Sequence, residues 1–136
     1  MTEFDVLRKT MVGEARGEPI DGLIAVGCVI RNRVLETGKT YKEVCTQGVD
    51  LYHHQFSCWN ENDPNFKVIQ ELNSNDPIVR EINYLAIGIQ NGTILDNTHG
   101  SNHYLTTLLF RNNPPSWAKG IKEYWQLGHQ IFFYCK

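Results

Sequence analysis

The chain has 136 residues, a length that suits one domain, residues 1–136, with one core and one site. Hydrophobic residues at 41% and charged residues at 21% are ordinary globular values, which argue against disordered, collagen-like and coiled-coil classes. The formal net charge of -2 offers no basic excess for a phosphate backbone, so nucleic acid is not the expected partner.

The amino terminus, MTEFDVLRKT, carries Glu3 and Asp5 and no apolar core of signal-peptide type, so synthesis in the cytoplasm without a signal peptide is expected, with export left to outside help. Phe4, Leu7, Met11 and Ala15 recur at helical spacing, and Gly13 and Gly17 crowd the end of the segment. That pattern predicts a first helix over about 3–16. A second helix is predicted to open at Pro19, where a missing N–H does no harm, and to carry Ile20, Leu23, Ile24, Ile30 and Val34 before ending at Gly38. Its apolar stretch from Leu23 to Ile30 is far short of the ~20 residues a membrane span needs, so no membrane insertion is expected. Thr40 and Glu43 match a capping box for a short third helix ending near Gly48.

From Val49 to Asn75 the text is rich in Asn, Asp, His and aromatics without a clean period, which predicts loops with a short helix after Pro64. Loops of this kind often carry function. Asp76 then reads as a cap, Pro77 as the first helical residue, and Ile78, Val79, Ile82, Leu85, Ala86 and Ile89 as one apolar face stopped by Gly92. Beyond it, THGSNHYL at 98–105 is extended and irregular, NNPPSW at 112–117 is a break, and IFFY after Gly128 predicts a terminal strand. Helices first and short strands later is the order of an α+β domain.

Glu14 falls near the carboxyl end of the first helix, where unpaired carbonyls carry partial negative charge and disfavour a carboxylate. A carboxyl that keeps its proton can act as a general acid, and the alternative is a surface glutamate paired with Arg16. Glu18 lies four residues on, but Pro19 draws the preceding residue out of helical conformation. Glu18 is therefore expected to start the turn, cap the next helix, or hold Arg16 or Arg31. Of the five histidines, His53, His54, His99, His103 and His129, only His99 and His103 are ligand-spaced, and Gly100 between them weakens a helical site. There is no H-E-x-x-H, no Gly-rich phosphate loop and no G-x-S-x-G, so neither a metal nor a cofactor is expected. Cys28, Cys45, Cys58 and Cys135 form no C-x-x-C pair, match no cysteine-protease pattern, and read as free thiols with Cys28 in the core. Aromatics stand beside amides, hydroxyls or histidines at Tyr52, Phe56, Tyr104 and Trp117. Such pairs suit the flat faces and hydroxyl edges of sugar rings, and equally suit a core.

Three separated segments together resemble the SleB/CwlJ cell-wall hydrolase family, the spore-cortex-lytic enzymes and their phage relatives. They are MVGEARGEPIDGLIAVGCVIRNRV at 11–34, QFSCW at 55–59, and a carboxyl-terminal set of GSNHY at 100–104, PSW at 115–117 and GHQIFFY at 128–134. The resemblance covers about residues 8 to 134. It implies a mainly helical, lysozyme-like α+β domain with a small antiparallel β element and a groove for a glycan strand. The implied reaction is cleavage of the β-1,4 bond between N-acetylmuramic acid and N-acetylglucosamine in peptidoglycan, as a monomer acting on glycan strands after release to the wall in phage lysis or spore germination. Glu14, the first glutamate of E-A-R-G-E, is the implied catalytic residue, with Arg16 and Glu18 supporting it. Gln55, Phe56 and Ser57 are expected to line the groove, and His103 and Tyr104 to touch substrate or position Glu14. Asn32 and Arg33 are left outside the site. One glutamate suffices for a lytic transglycosylase giving 1,6-anhydromuramoyl products; a hydrolytic muramidase, a non-catalytic glycan-binding module and a metal-dependent amidase are the alternatives.

Overall fold

Reciprocal capping opens the first helix, α1 (Glu3–Ala15): the Thr2 hydroxyl accepts from the Asp5 N–H at 3.1 Å, and the Asp5 carboxylate accepts from the Thr2 N–H at 3.4 Å. The computed structural model describes all 136 residues. Helix α2 (Ile20–Thr37) starts one residue later than the sequence pattern places it, with Pro19 as an extended cap. It stops at Gly38, whose left-handed backbone (φ 73°) suits a residue without a Cβ. Helix α3 (Tyr41–Cys45) has the predicted Thr40/Glu43 capping box but ends short of Gly48. There Gly48 already pairs with His54 in an antiparallel bridge, and the Gln47 carbonyl accepts from the Gln55 N–H, so the backbone has left the helix to meet the next loop.

Helix α4 (Pro64–Gln70) is the short helix predicted after Pro64, capped by Asp63. Helix α5 (Pro77–Asn91) has Asp76 as its cap and Gly92 in the left-handed region at its end, as the sequence pattern requires. The remaining chain forms β1 (His103–Thr106), α6 (Thr107–Asn112), β2 (Trp125–Leu127) and β3 (Gln130–Phe133), in an antiparallel sheet of order β1-β3-β2. The sequence reading does not anticipate α6. It is six residues long with no buried side chain, too short and too exposed to show a period. The architecture is α+β, mainly helical with one small sheet.

Helices α1, α2 and α5 enclose the main core, in which Val6, Leu7, Met11, Val26, Ile30, Ile82 and Ile89 are fully buried. Each such side chain contributes roughly 1.5–3 kcal/mol by leaving water. All four cysteines are free thiols, and Cys28, Cys45 and Cys58 lie inside this core. Strand β3 faces both ways: Phe132 enters the helical core, while Ile131 and Phe133 pack with Ala118 beneath the opposite face. The sheet is thus fastened to the helices by alternate residues of one strand.

Between α3 and α4 the Ser57–Trp59 segment makes one 3₁₀ turn that is clamped to α1. The Trp59 indole N–H donates to the Thr10 hydroxyl at 2.9 Å, and that hydroxyl donates to the Val6 carbonyl at 2.7 Å. Gly13 makes the approach possible, because a Cβ there would lie 2.5 Å from Cys58 Cβ and 2.8 Å from its Sγ. Gly13→Ala is accordingly expected to destabilise the fold by about 1–3 kcal/mol despite its better helix propensity. Denaturant unfolding of the two proteins checks this, and an unchanged midpoint would contradict the packing described.

Candidate active site

Helix α1 delivers Glu14 at its last turn, next to the clamped 3₁₀ turn on one side and strand β1 on the other. Two donors hold the carboxylate. The Tyr104 hydroxyl donates to Oε1 at 3.0 Å, and the Cys58 backbone N–H donates to Oε2 at 3.3 Å. Burial, followed by the adjacent Glu14 charge, pushes the Tyr104 phenol well above its ordinary range and raises the Cys58 thiol likewise. Both groups therefore stay protonated around a carboxylate they can only donate to.

Glu14 opens into a cavity of about 460 Å³, a size suited to ligand binding. Arg33 of α2, His54, Gln55 and Phe56 of the loop, and His103, Tyr104 and Leu105 of β1 form its walls, together with Val49 and Trp117. Glu14 is the only carboxylate among these residues. A second cavity of about 670 Å³, walled by Tyr52, Trp59 and Phe66, shares His54 with the first. A third, of about 380 Å³, shares Arg33, Gln55, His103 and Trp117 and reaches Glu36 and Lys136. The three make a long open depression: one arm carries Tyr52, Trp59 and Phe66 with Glu61 beside them, and the other carries Arg33, Glu36 and Lys136.

His103 sits across the cavity with its ring 5.3 Å from that of Trp117. Asn102 donates through Nδ2 to Glu36 and to the Cys135 carbonyl, so its Oδ1 is an acceptor, and His103 Nδ1 at 2.8 Å is assigned as the N–H. That leaves Nε2 with a lone pair. Burial, and then the Arg33 charge, hold the His103 imidazole below its ordinary value and favour the neutral ring.

Gln55, Phe56, His103 and Tyr104 thus converge on Glu14's cavity, whereas three other residues singled out in the sequence do not. Ser57 is exposed on the 3₁₀ turn and lines none of the three cavities, because the turn points Phe56 and Cys58 inward instead. Arg16 caps α1 by donating to the Val12 carbonyl at 3.3 Å and makes no pair with Glu14. Glu18 holds neither Arg16 nor Arg31. Its carboxylate, 7% exposed, accepts from the His129 N–H at 3.1 Å and meets His129 Nδ1 at 2.6 Å, which ties the β2–β3 turn to the start of α2. Arg31 instead donates to the Ile89 and Ile94 carbonyls around the end of α5.

His54 and His103 share the Glu14 cavity, and no group of three or more His, Cys, Asp or Glu side chains is placed to hold a metal ion. His99 stacks on Trp125 with ring centroids 4.4 Å apart, while His129 serves Glu18. Sequence reasoning leaves Arg33 outside the site, yet its guanidinium lies 5.2 Å over the Phe56 ring and lines the cavity. The available signal is a charge at position 33, three residues beyond Ile30, on the inward stripe of an otherwise buried helix. Its neighbour Asn32 is structural: Nδ2 donates to Asp96 at 3.0 Å and to the Ser101 carbonyl at 2.9 Å, fixing the loop that leads into β1.

A carboxylate oriented at the side of a long open depression, on a helical α+β scaffold, is the arrangement of an enzyme acting on an extended substrate. The sequence matches the family model described as Cell Wall Hydrolase over residues 17–133, so the chain belongs to the cell wall hydrolase family and is an enzyme that acts on peptidoglycan. The matched span begins three residues after Glu14 and includes Arg33, Gln55, Phe56, His103 and Tyr104. Two solved structures share the fold. The catalytic domain of the germination-specific lytic transglycosylase SleB from Bacillus anthracis superposes with a TM-score of 0.67 at 21% identity, covering 98% of this chain and 93% of that one. The catalytic domain of the Bacillus cereus SleB protein gives 0.56 at 21% identity, covering 98% and 89%. No curated protein sequence matches the chain.

His103 gives the site a pH signature. Its imidazole is held below the ordinary value near 6.5 in the folded protein, so the unfolded chain binds the proton more readily. The contribution is complete above pH ~6.5 and is lost as pH falls through the folded value. Thermal melts below pH ~6.5 should show a steeper fall in midpoint for wild type than for His103→Asn; parallel curves would remove His103 as the cause.

Proposed function

We propose that the enzyme cleaves the β-1,4 bond between N-acetylmuramic acid and N-acetylglucosamine as a lytic transglycosylase, with Glu14 as both acid and base. One observation carries the reading: Glu14 is the sole carboxylate on the walls of its cavity. Ordinary glycosidases use two carboxyl groups, about 5–9.5 Å apart, one as acid and one as nucleophile or base. A single glutamate accounts for both proton transfers if the substrate supplies the nucleophile. Glu14 gives its proton to the glycosidic oxygen as the bond to the anomeric carbon breaks. The carboxylate then takes the proton of the muramoyl 6-hydroxyl as that oxygen closes on the same carbon. The product is a 1,6-anhydro ring, no water is consumed, and Glu14 regains its proton for the next cycle.

Tyr104 and the Cys58 N–H hold the two carboxylate oxygens and so fix which lone pair meets the substrate. The aromatic walls, Phe56 and Trp117 in this cavity and Tyr52 and Trp59 beyond it, suit the apolar faces of successive sugars. The Bacillus anthracis neighbour, itself described as a lytic transglycosylase, supports the reading through its shared fold. On this reading the enzyme meets its substrate at the cell wall.

Mass spectrometry of soluble fragments from purified peptidoglycan tests the proposal. Wild type should release fragments one water lighter than hydrolysis products, with anhydromuramoyl ends. Glu14→Gln should lower the rate by about 10²–10⁴ while keeping the fold, as circular dichroism would show. Glu18→Gln should lose less, since Glu18 lies outside the cavity and acts on the β2–β3 turn. Reducing ends would mean a water-activating muramidase, and full activity of Glu14→Gln would remove Glu14 from the mechanism.

A further inference from the structure

Arg33 is a cation without an anion. Of its five N–H donors, Nε serves the Asn102 carbonyl at 2.6 Å and one hydrogen of Nη1 serves Gln55 Oε1 at 3.1 Å. No carboxylate pairs with it: Glu36, one turn along α2, is engaged by Asn102 Nδ2 at 3.2 Å and by the Tyr134 hydroxyl at 3.4 Å. Its remaining donors are not sealed inside the protein, because Arg33 is only half-buried and lines both the Glu14 cavity and the charged arm beside it. The guanidinium is also held at Nε by Asn102, at Nη1 by Gln55 and on one face by Phe56. Burial draws its affinity for the proton down, so an incoming anion gains from a charge that water already solvates poorly.

A fixed guanidinium with open donors is the complement of a planar carboxylate. Chitin-like N-acetylglucosamine chains have none, whereas a muramoyl residue carries one either on its lactyl ether, where the stem peptide has been removed, or on the stem peptide itself. We propose that Arg33 is the specificity-determining residue that binds the carboxylate of a muramoyl substituent and so sets which sugar occupies the place beside Glu14. This rests on the assignment of the groove to a glycan strand.

The test uses Glu14→Gln as a background that leaves the ligand uncut, with NMR titration of four tetrasaccharides. They are a peptide-free muramoyl tetrasaccharide with its free lactyl carboxylate, its methyl ester, the same sugar carrying an L-alanyl-D-glutamate stem, and chitotetraose. The carboxylate ligands should bind about tenfold tighter than the ester and chitotetraose. Arg33→Lys should erase that margin while leaving chitotetraose within about twofold. Whichever of the lactyl and stem-peptide ligands loses the margin identifies the source of the carboxylate. If neither the lactyl acid nor the stem-peptide ligand binds tighter than the ester and chitotetraose, the proposal is overturned without using any variant, which covers the case in which Arg33→Lys fails to fold. An equal loss on chitotetraose would reduce Arg33 to a structural role. If none of the four binds, the proposal fails, and wild-type release of anhydro fragments from intact wall decides separately whether the glycan-cleaving reading survives.

Discussion

The contact between Gly13 and Cys58 is the constraint on which the site depends. Glycine at position 13 lets the last turn of α1 come against the Ser57–Trp59 turn with no Cβ between them. That approach puts the Cys58 N–H onto the next residue of the helix, Glu14. The Trp59–Thr10 bond one turn earlier holds the same two segments at a second point, so the distance cannot drift. A helix end and a short turn joined twice make a rigid support, which catalytic groups need if they are to stay in register with a substrate.

The other side of the cavity is held by an equally short chain of cause. Asn32 and Arg33 are successive residues of α2, and both bond the segment that leads into β1, Asn32 at Ser101 and Arg33 at Asn102. Strand β1 is thereby set so that Tyr104 reaches Glu14 and His103 faces Trp117. Strand β3 locks the position from behind, with Phe132 opposite Tyr104 in the ladder and buried in the helical core.

Chemistry follows from how few charges the cavity contains. One carboxylate faces groups that stay protonated, a neutral imidazole and an arginine with open donors. Glu14 is the one carboxylate on the walls of this cavity, and no salt bridge engages the arginine. The two arms beyond differ in make-up, Tyr52, Trp59 and Phe66 with Glu61 on one and Arg33, Glu36 and Lys136 on the other, so the two ends of the depression are not alike.

Helices α1, α2 and α5, the capping boxes, the glycine stops and the terminal strand were legible because each is written in local spacing: period, cap and stop lie within a few residues of one another. Glu14, Gln55, Phe56, His103 and Tyr104 were legible through motif resemblance, while the local chemistry of the helix end pointed to Glu14 as well. The exposed helix α6, the outward turn of Ser57 and the true partner of Glu18 were not, since each depends on residues distant in the chain or on a side chain's direction. Arg33 is the clearest case: its sequence neighbours say only that a charge sits on a buried stripe, and what it does is set by Asn102, Gln55 and Phe56, 69, 22 and 23 positions away. Sequence alone determined which residues could carry the chemistry, because residue type and local period are one-dimensional properties. Only the tertiary structure decided which of them share a cavity, because that follows from how close two backbones can pack, and at Gly13 the missing Cβ makes that approach possible.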